Sequence, residues 1–532
     1  MIKQTEVIVI GSGFGGAVSA SRLAEAGISV KLLERGPWRD SLPNASMNIK
    51  NRVPFPTEGR HFWSKVLRTL RNNKLPGGRL TINKKGFYEV VVGKGLNILC
   101  SSNVGGGSHA YSGLNMPPPM PGYWDNVANG LSDNMMTRHY DSVMERMGAN
   151  VPDDHITHSI RKRFSTSDVI QSNAEVGDMN MGYLFARDPG NPQEVVDDNG
   201  IRRREATPGE EGNLGSPGGG KTPLEVAYLV QAIKQGLQVC DLQEVLAIRK
   251  EPDASEARYC VKVENHHTGQ FESHYANHVI VAAGTVNTLH LLLHSREGDK
   301  GLGGMPNLGQ RFGSNGDFFG YWDHQDKLHD LSKSEGVNGF VRLTEDEGAA
   351  EGSIPMILET PLPNPDKLRL PGWIAKKLRQ GTFIAGMGPD AQDGTVSLVK
   401  GKLKIDYQPE NSPIFAAIRQ QMDRIAKASG KRVLSIKRPT TAHPTGGACI
   451  GQNLSEGVVN EQGEVFDHPG LYVADAAALP KPVGGPPSMT IAAWADHVAE
   501  RLIDKIQNET INNFGQETLL SQQLNKKEPV FY

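Results

Sequence analysis

EVIVIGSGFGGAVSASRLAEAGISVKLLERG, Glu6 to Gly36, reads as a strand, a glycine turn, a helix closed by Gly27, and a second strand ending in an acid. EVIVI alternates and then becomes continuously apolar, as a strand buried on both faces requires. Gly11 permits the tight turn, Gly13 lets backbone approach a pyrophosphate, and Gly16 lets helix and strand pack closely. The helix N-terminus supplies partial positive charge. Glu34, about 20 residues on, is placed to hydrogen-bond the ribose hydroxyls of an adenosine half. The stretch therefore predicts a dinucleotide-binding βαβ unit. No second strand–GxGxxG–helix unit follows, so one dinucleotide is expected rather than two.

A rival glycine cluster, GSPGGGKT at Gly215 to Thr222, matches the phosphate-gripping pattern G-x-x-x-x-G-K-[ST] letter for letter. That loop works only when a buried strand delivers it and a helix follows. Upstream stands RRREATPGEEGNL, charged and turn-rich, with no β-branched run to form the strand. Downstream, Pro223 can start a helix, LEVAYLVQAIKQG, so the cluster reads as a connector and not an ATP site.

At 532 residues, 38% hydrophobic and 22% charged, the chain is too long for one compact core, and two intertwined domains are the expected minimum. A net charge of -2 carries no excess of cations for a nucleic-acid backbone, so no nucleic-acid partner is expected. Four cysteines, Cys100, Cys240, Cys260 and Cys449, are scattered without a C-x-x-C pair. With no signal-peptide pattern at the start, this reads as a reduced, cytoplasmic protein. The most apolar later run is interrupted by Gly284, Asn287 and His290 and is too short to span a bilayer.

Further segments fall in a telling order: SSNVGGGSHAYSG (Ser101 to Gly113), HVIVAAGTVNTLHLLLHS (His278 to Ser295), TTAHPTGGACIG (Thr440 to Gly451) and HPGLYVADAAALPKPVGGPPSMTIAAWADHVAERLI (His468 to Ile503). The last gives a strand, the acid Asp475, a proline–glycine loop and a helix with Ile491, Trp494, Ala495, Val498 and Leu502 on one face. Together with the opening unit, these blocks resemble the glucose–methanol–choline (GMC) family of FAD-dependent oxidoreductases, and most closely its cholesterol-oxidase-like branch. The matched blocks cover roughly a third of the chain, spread from Val7 to about Leu502.

The resemblance implies an α/β, overall α+β, architecture: a Rossmann-like FAD-binding domain interleaved with a discontinuous antiparallel-sheet substrate domain. The expected FAD-binding parts are 1–120, 221–310 and 441–510; the substrate-domain parts are 121–220 and 311–440; 511–532 is a C-terminal tail. The implied FAD contacts are Gly11, Gly13, Phe14, Gly15, Gly16 and Glu34, then Gly107, Val245 near the adenine, Gly284, and Asp475 with Ala476. Pro487, Ser488 and Met489 would bring the N-terminus of the last helix, with its orphan N–H groups and dipole, to the flavin N1/C2 carbonyl edge. Where the family commonly has an asparagine just after the GGGS block, this chain has Tyr111.

Oxidising an alcohol with a flavin requires removal of a hydroxyl proton and transfer of the carbinol hydrogen as hydride to flavin N5. A neutral histidine suits the proton. By resemblance His443 of TTAHPTGGACIG takes that role. The branch places an asparagine opposite this histidine, and here Pro486, with neither side-chain donor nor acceptor, stands at that place. Tyr111 or Glu359 would then have to orient the hydroxyl. Glu359 of MILETPLP lies one residue away from the branch's functional glutamate, and one step along a strand reverses the face.

Two stretches mix apolar and basic residues. In HFWSKVLRTLRNNK, Trp63, Val66, Leu67 and Leu70 share a helical face, with Lys65, Arg68, Arg71 and Lys74 elsewhere, and KLRLPGWIAKKLRQ repeats the character around Trp373. Both are compatible with peripheral membrane contact or with solvated capping helices. SPIFAAIRQQMDRIAKASG predicts a structural helix with Ile414, Ile418, Met422 and Ile425 inward. The pairs His155/His158 and His266/His267 lack acids at metal-ligand spacing, so no metal is predicted. Three functions stay open: oxidation of a bulky apolar, sterol-like alcohol; other flavin chemistry on a hydrophobic substrate, because of Pro486; and noncatalytic flavin or lipid binding. The expected partners are a small lipophilic substrate and oxygen, a quinone or a protein as electron acceptor.

Overall fold

The opening strand, Thr5–Ile10, lies inside a seven-stranded sheet. It pairs in parallel with Val30–Leu33 on one side and with the long strand Gln270–Val281 on the other. Gln238–Cys240 extends the sheet beyond Val30–Leu33, and Leu471–Val473 lies parallel to the end of Gln270–Val281. The first half of that long strand turns antiparallel to Tyr259–Asn265, which pairs with Gln243–Lys250. The register aligns Ile10 with Leu33 and Val281, Leu33 with Cys240, and Val281 with Val473, so five parallel strands end along one edge. That edge is where open α/β sheets bind ligands. The computed structural model describes residues 5–57, 61–150, 174–177, 180–188, 190–206, 209, 211–252, 255–333, 337, 339–343, 354–362 and 365–525.

The strand cores are fully buried: Val7, Ile8, Val9, Val279, Ile280, Val281, Leu471 and Val473 expose none of their surface. The helix Phe14–Glu25 packs on this sheet and on the last helix, Ser488–Asn525, whose Trp494 indole donates to the Val473 carbonyl at 3.1 Å. A Cβ at Gly16 would lie 1.8 Å from the carbonyl oxygen of Gly11, and one at Gly15 2.1 Å from that of Ala474. Only glycine permits this helix-to-strand approach, the role the spacing assigns to Gly16.

A second, six-stranded antiparallel sheet has the order Arg432–Ser435, Phe318–Asp323, Thr382–Met387, Met356–Thr360, Gly339–Leu343, Ala174–Gly177. The helix Ile414–Ser429 covers one of its faces, with Ile414, Ile418, Met422 and Ile425 buried and Gly430 left-handed at φ 62° just beyond its end. Gly386 makes room for this helix, since a Cβ there would meet Ile418.

Two details depart from the sequence pattern. HFWSKVLRTLRNNK is not one amphipathic helix: only Phe62–Val66 is helical, and Leu67–Asn72 is a strand paired with Tyr88–Val92 and Arg79–Thr81. A seven-residue apolar spacing is too short to separate a helix from a turn followed by a strand, and sheet pairing decides it. The last helix continues to Asn525, through most of the segment 511–532 read as a tail. Among the described residues, no helix is long and apolar enough to cross a membrane.

Candidate active site

A cavity of about 440 Å³ runs along the edge where the parallel strands end. At its floor are Gly11, Gly13, Phe14 and Gly15 from the first turn, Glu34 from the second strand, Gly284 after the long strand, and Asp475 with Ala476 after Leu471–Val473. Gly107 of the GGGS loop and Val245 also line it. Cβ positions at Gly13 and Gly107 meet no atom within 4 Å, so both open onto free space. Gly16 does not line the cavity, and Met489 is buried in the core behind it, so neither side contributes a wall.

The acids along the edge shape the loops around them. Glu34 accepts from the Ser12 N–H at 2.9 Å, the Ser12 hydroxyl at 2.7 Å and the Gly36 N–H at 2.7 Å, and so ties the first loop to the second. Asp475 accepts from the Gly284 N–H at 2.8 Å, the Ala477 N–H at 2.9 Å and the Thr288 hydroxyl at 2.5 Å. Burial pushes the Asp475 carboxyl up to about 6 against the pull of these donors. Beyond Glu34 the wall holds Arg35 and Arg71, both paired with the fully buried Glu89. Burial opposes the charge on Glu89, but the two guanidiniums prevail and hold it well below the usual carboxylate range.

At the opposite end the lining becomes apolar, with Leu114, Phe319, Val337, Leu358, Ala385 and Met387. His443 lies on this cavity's wall. Its Nδ1 is 2.9 Å from Oδ2 of Asp317, a residue with no exposed side-chain surface, while a quarter of the imidazole remains exposed. The same Asp317 oxygen accepts from the Thr441 hydroxyl at 2.7 Å and the Ala442 N–H at 3.2 Å. Asp317 thus holds both the ring and the loop that carries it, which leaves Nε2 as the atom turned away from the carboxylate. Burial works against the imidazolium, yet the charge and hydrogen bonding of Asp317 raise the His443 pKa above its ordinary value. Sequence reading treats this histidine as unperturbed and misses Asp317, which sits far upstream in GSNGDFFGYWD and shares no motif with it.

Pro486, Pro487 and Ser488 line the cavity where the last helix begins. The first backbone bond of that helix runs from Ile491 to Pro487, so the preceding N–H groups have no intrahelical acceptor. Asn315 holds the loop from behind, accepting from the Gly484 N–H at 2.9 Å and donating to the Gly485 carbonyl at 2.8 Å.

Of the two side chains expected to orient the hydroxyl, one reaches the cavity. Glu359 does not reach the cavity: Leu358 and Thr360, its neighbours on the strand, line the wall, while Glu359 is fully buried on the face that carries the helix Ile414–Ser429. It accepts from Thr382 and lies 3.3 Å from His324 Nε2. Strand alternation is the reason. Tyr111 does line the cavity with its ring, 5.4 Å from Phe14 edge to face, and its hydroxyl hydrogen is donated to the Thr222 carbonyl at 2.9 Å.

Among the described residues no buried strand delivers the rival glycine cluster: the strand upstream of it, Arg202–Arg204, belongs to a two-stranded sheet with Glu194–Val196 and exposes two of its three residues. Lys221 is fully buried and donates to the carbonyls of His109 at 3.0 Å, Tyr111 at 2.8 Å and Gly212 at 2.8 Å. It is a tether between loops, and its charge points into protein, away from any phosphate. Burial brings its pKa down to about 7 even though Glu211 and Glu225 favour the charge. His155 and His158 lie outside the described residues. His266, contrary to its sequence surroundings, does meet acids: Glu244 at 2.9 Å and Glu264 at 3.5 Å. Arg68, Arg79 and Lys84 already pair with those acids. All four cysteines are free thiols.

The donor set fits FAD. The cavity is one continuous space from Glu34 to His443, its glycine floor has room where Cβ atoms would stand, and a helix N-terminus meets it at each end. Gly13, Gly107, Glu34, Val245 and the loop before Ser488 are the residues that would hold it.

Comparison with known proteins supports this reading. Family profiles described as GMC oxidoreductase match residues 82–314 and 387–495, and an FAD binding domain matches residues 4–52. A cholesterol oxidase of Mycobacterium tuberculosis is 25% identical over 93% of this chain and 90% of its own length. A long-chain-alcohol oxidase of Arabidopsis thaliana is 21% identical over 95% of this chain and 68% of its own. The solved structure of a fungal aryl-alcohol oxidase superposes with a TM-score of 0.59 at 11% identity, covering 95% of this chain and all of that one, a likeness of fold.

Proposed function

The chain belongs to the GMC oxidoreductase family and is an FAD-dependent oxidoreductase; from that premise we propose that it oxidises the CH–OH group of a bulky, apolar, sterol-like alcohol, with His443 as the base. The observation that carries the proposal is the placement of His443 on the wall of a cavity whose far end is built from Leu114, Phe319, Val337, Leu358, Ala385 and Met387. An apolar wall of this kind takes a hydrophobic body by burial and leaves one polar end to be oriented. Bound FAD supplies the hydride acceptor for the carbinol hydrogen.

In this reading the hydroxyl proton passes to Nε2 of His443. Asp317 fixes the ring through Nδ1 and stabilises the imidazolium that results. The last helix presents its unpaired N–H groups toward developing negative charge. Thr360, on the cavity face of its strand, replaces Glu359 as the polar group nearest to that part of the wall. Pro486 favours a second reading, in which the same fold performs other flavin chemistry on a hydrophobic substrate, because the side chain at this place can neither donate nor accept.

Anaerobic mixing of the FAD-loaded protein with sterols, long-chain alcohols and aryl alcohols tests both. Bleaching by at least one class supports alcohol oxidation, and bleaching only by other hydrophobic compounds supports the second reading. Readmitted air then separates oxygen from a quinone or protein as acceptor, by fast or slow recovery of colour. His443→Ala should slow reduction by about 10²- to 10⁴-fold while FAD stays bound. An unchanged rate removes His443 from the reaction.

A further inference from the structure

Away from the cavity, two helices bring together a second constellation. His139, on the helix Asp133–Arg146, faces His497 and Glu500, which are spaced i, i+3 on the last helix. One ligand atom from each of the three lies within 4.8 Å of the others. His139 is 2% exposed and His497 3%, and their rings meet edge to face at 5.3 Å.

The hydrogen bonds fix both tautomers. His497 Nε2 is 2.9 Å from the backbone carbonyl of Glu461, which can only accept, so that nitrogen carries the proton and Nδ1 is a bare lone pair. His139 Nδ1 is 2.7 Å from Asp496 Oδ2, and Arg22, 2.9 Å from the other oxygen, keeps that carboxylate an acceptor. The proton therefore sits on His139 Nδ1, and in the neutral imidazole, the form that binds a metal, Nε2 is bare as well. Neither His139 Nε2 nor His497 Nδ1 has a hydrogen-bond partner, and Glu500 Oε2 lies 3.8 Å from the first. Two buried lone pairs and a carboxylate thus converge with no donor among them to satisfy the nitrogens. Each imidazole is braced at its far nitrogen by a carboxylate or a backbone carbonyl, the outer-shell pattern of metal-ligating histidines.

We propose that His139, His497 and Glu500 form a binding site for a divalent transition-metal ion of the zinc type, with water completing its coordination, that clamps the helix Asp133–Arg146 to the last helix. Two imidazoles and one carboxylate are a ligand set zinc accepts, and drawing the three atoms to roughly 3.3 Å apart meets bond lengths of about 2.0–2.1 Å at tetrahedral angles. Glu500 is a quarter exposed and gives the ion its route in from solvent. Arg138, 2.5 Å from Glu500 Oε2 and more than half exposed, must swing outward, which sacrifices only a surface ion pair. Arg501 is 3.6 Å from the same oxygen and pairs alternatively with Asp504. The site is independent of the alcohol-oxidation reading.

The test uses the full-length, FAD-loaded protein, stripped with a chelator, dialysed against micromolar Zn²⁺ and assayed for retained metal by mass spectrometry. Wild type should retain about one zinc per chain. His139→Gln and His497→Gln should each lose it while flavin absorbance and circular dichroism stay unchanged. Asp496→Asn, which frees the His139 ring, should weaken retention on the order of 10- to 100-fold. If a histidine variant fails to fold, Glu500→Gln, at the exposed end, reads out the same loss. Three results overturn the proposal: folded wild type that retains no zinc, zinc held undiminished by both histidine variants, or zinc that leaves with His266→Gln instead.

Discussion

His443 has two influences that oppose each other. Burial favours the neutral imidazole, and the Asp317 carboxylate at 2.9 Å favours the charged one and prevails. A base must be neutral to accept a proton, so the rate of flavin reduction should fall as pH drops through a pKa above the ordinary value of about 6.5. In Asp317→Asn the charge is gone and burial alone remains, which moves that limb to lower pH. The limiting rate should drop roughly tenfold or more, because the ring loses its orienting partner. The pH dependence of anaerobic reduction measures both; superposable profiles would mean that Asp317 does not act on the base. Only the resemblance carried by TTAHPTGGACIG singles out His443, and nothing in the sequence points to its partner, because a carboxylate so far along the chain leaves no local trace.

At the scale of one element, the strand Met356–Thr360 shows how a single step decides a role. Leu358 and Thr360 face the cavity and Glu359 faces the covering helix, so a functional glutamate expected from resemblance becomes a structural one. Glu359→Gln weakens a buried hydrogen-bonded cluster with Thr382 and His324, which should lower stability by about 1–3 kcal/mol. Its reduction rate should stay within about twofold, since surface away from the reacting atoms carries no transition-state contact. Thr360→Val should do the reverse, changing KM for the alcohol with little loss in melting temperature. Thermal melts and steady-state kinetics on both variants decide it, and a large rate loss in Glu359→Gln would return that residue to the site. The Leu67–Asn72 strand teaches the same lesson from the other side: its residues match a helical face in print, and pairing with Tyr88–Val92 overrules the match.

For the whole molecule, the cavity edge is assembled from stretches around residues 11, 34, 107, 245, 284 and 475, so FAD that contacts all of them should act as a clasp. Binding to the folded state alone stabilises by RT ln(1 + [L]/Kd), about 2.7 kcal/mol at a hundredfold excess over Kd. Protein stripped of FAD should therefore melt several degrees lower and recover on reconstitution, read by calorimetry alongside flavin absorbance. Equal melting temperatures would mean that the edge is not where FAD binds. The sequence by itself determined the dinucleotide unit, the helix at Ile414–Ser429 and the dismissal of GSPGGGKT as a phosphate loop. Each of these rests on periodicity, glycine geometry or scaffold within one short window. Only the tertiary structure decided the pairing of His443 with Asp317, the face taken by Glu359, and the meeting of His139 with His497 and Glu500. Those depend on which distant segments are brought within a few ångströms of one another, a matter of sheet register and helix packing that no local stretch encodes.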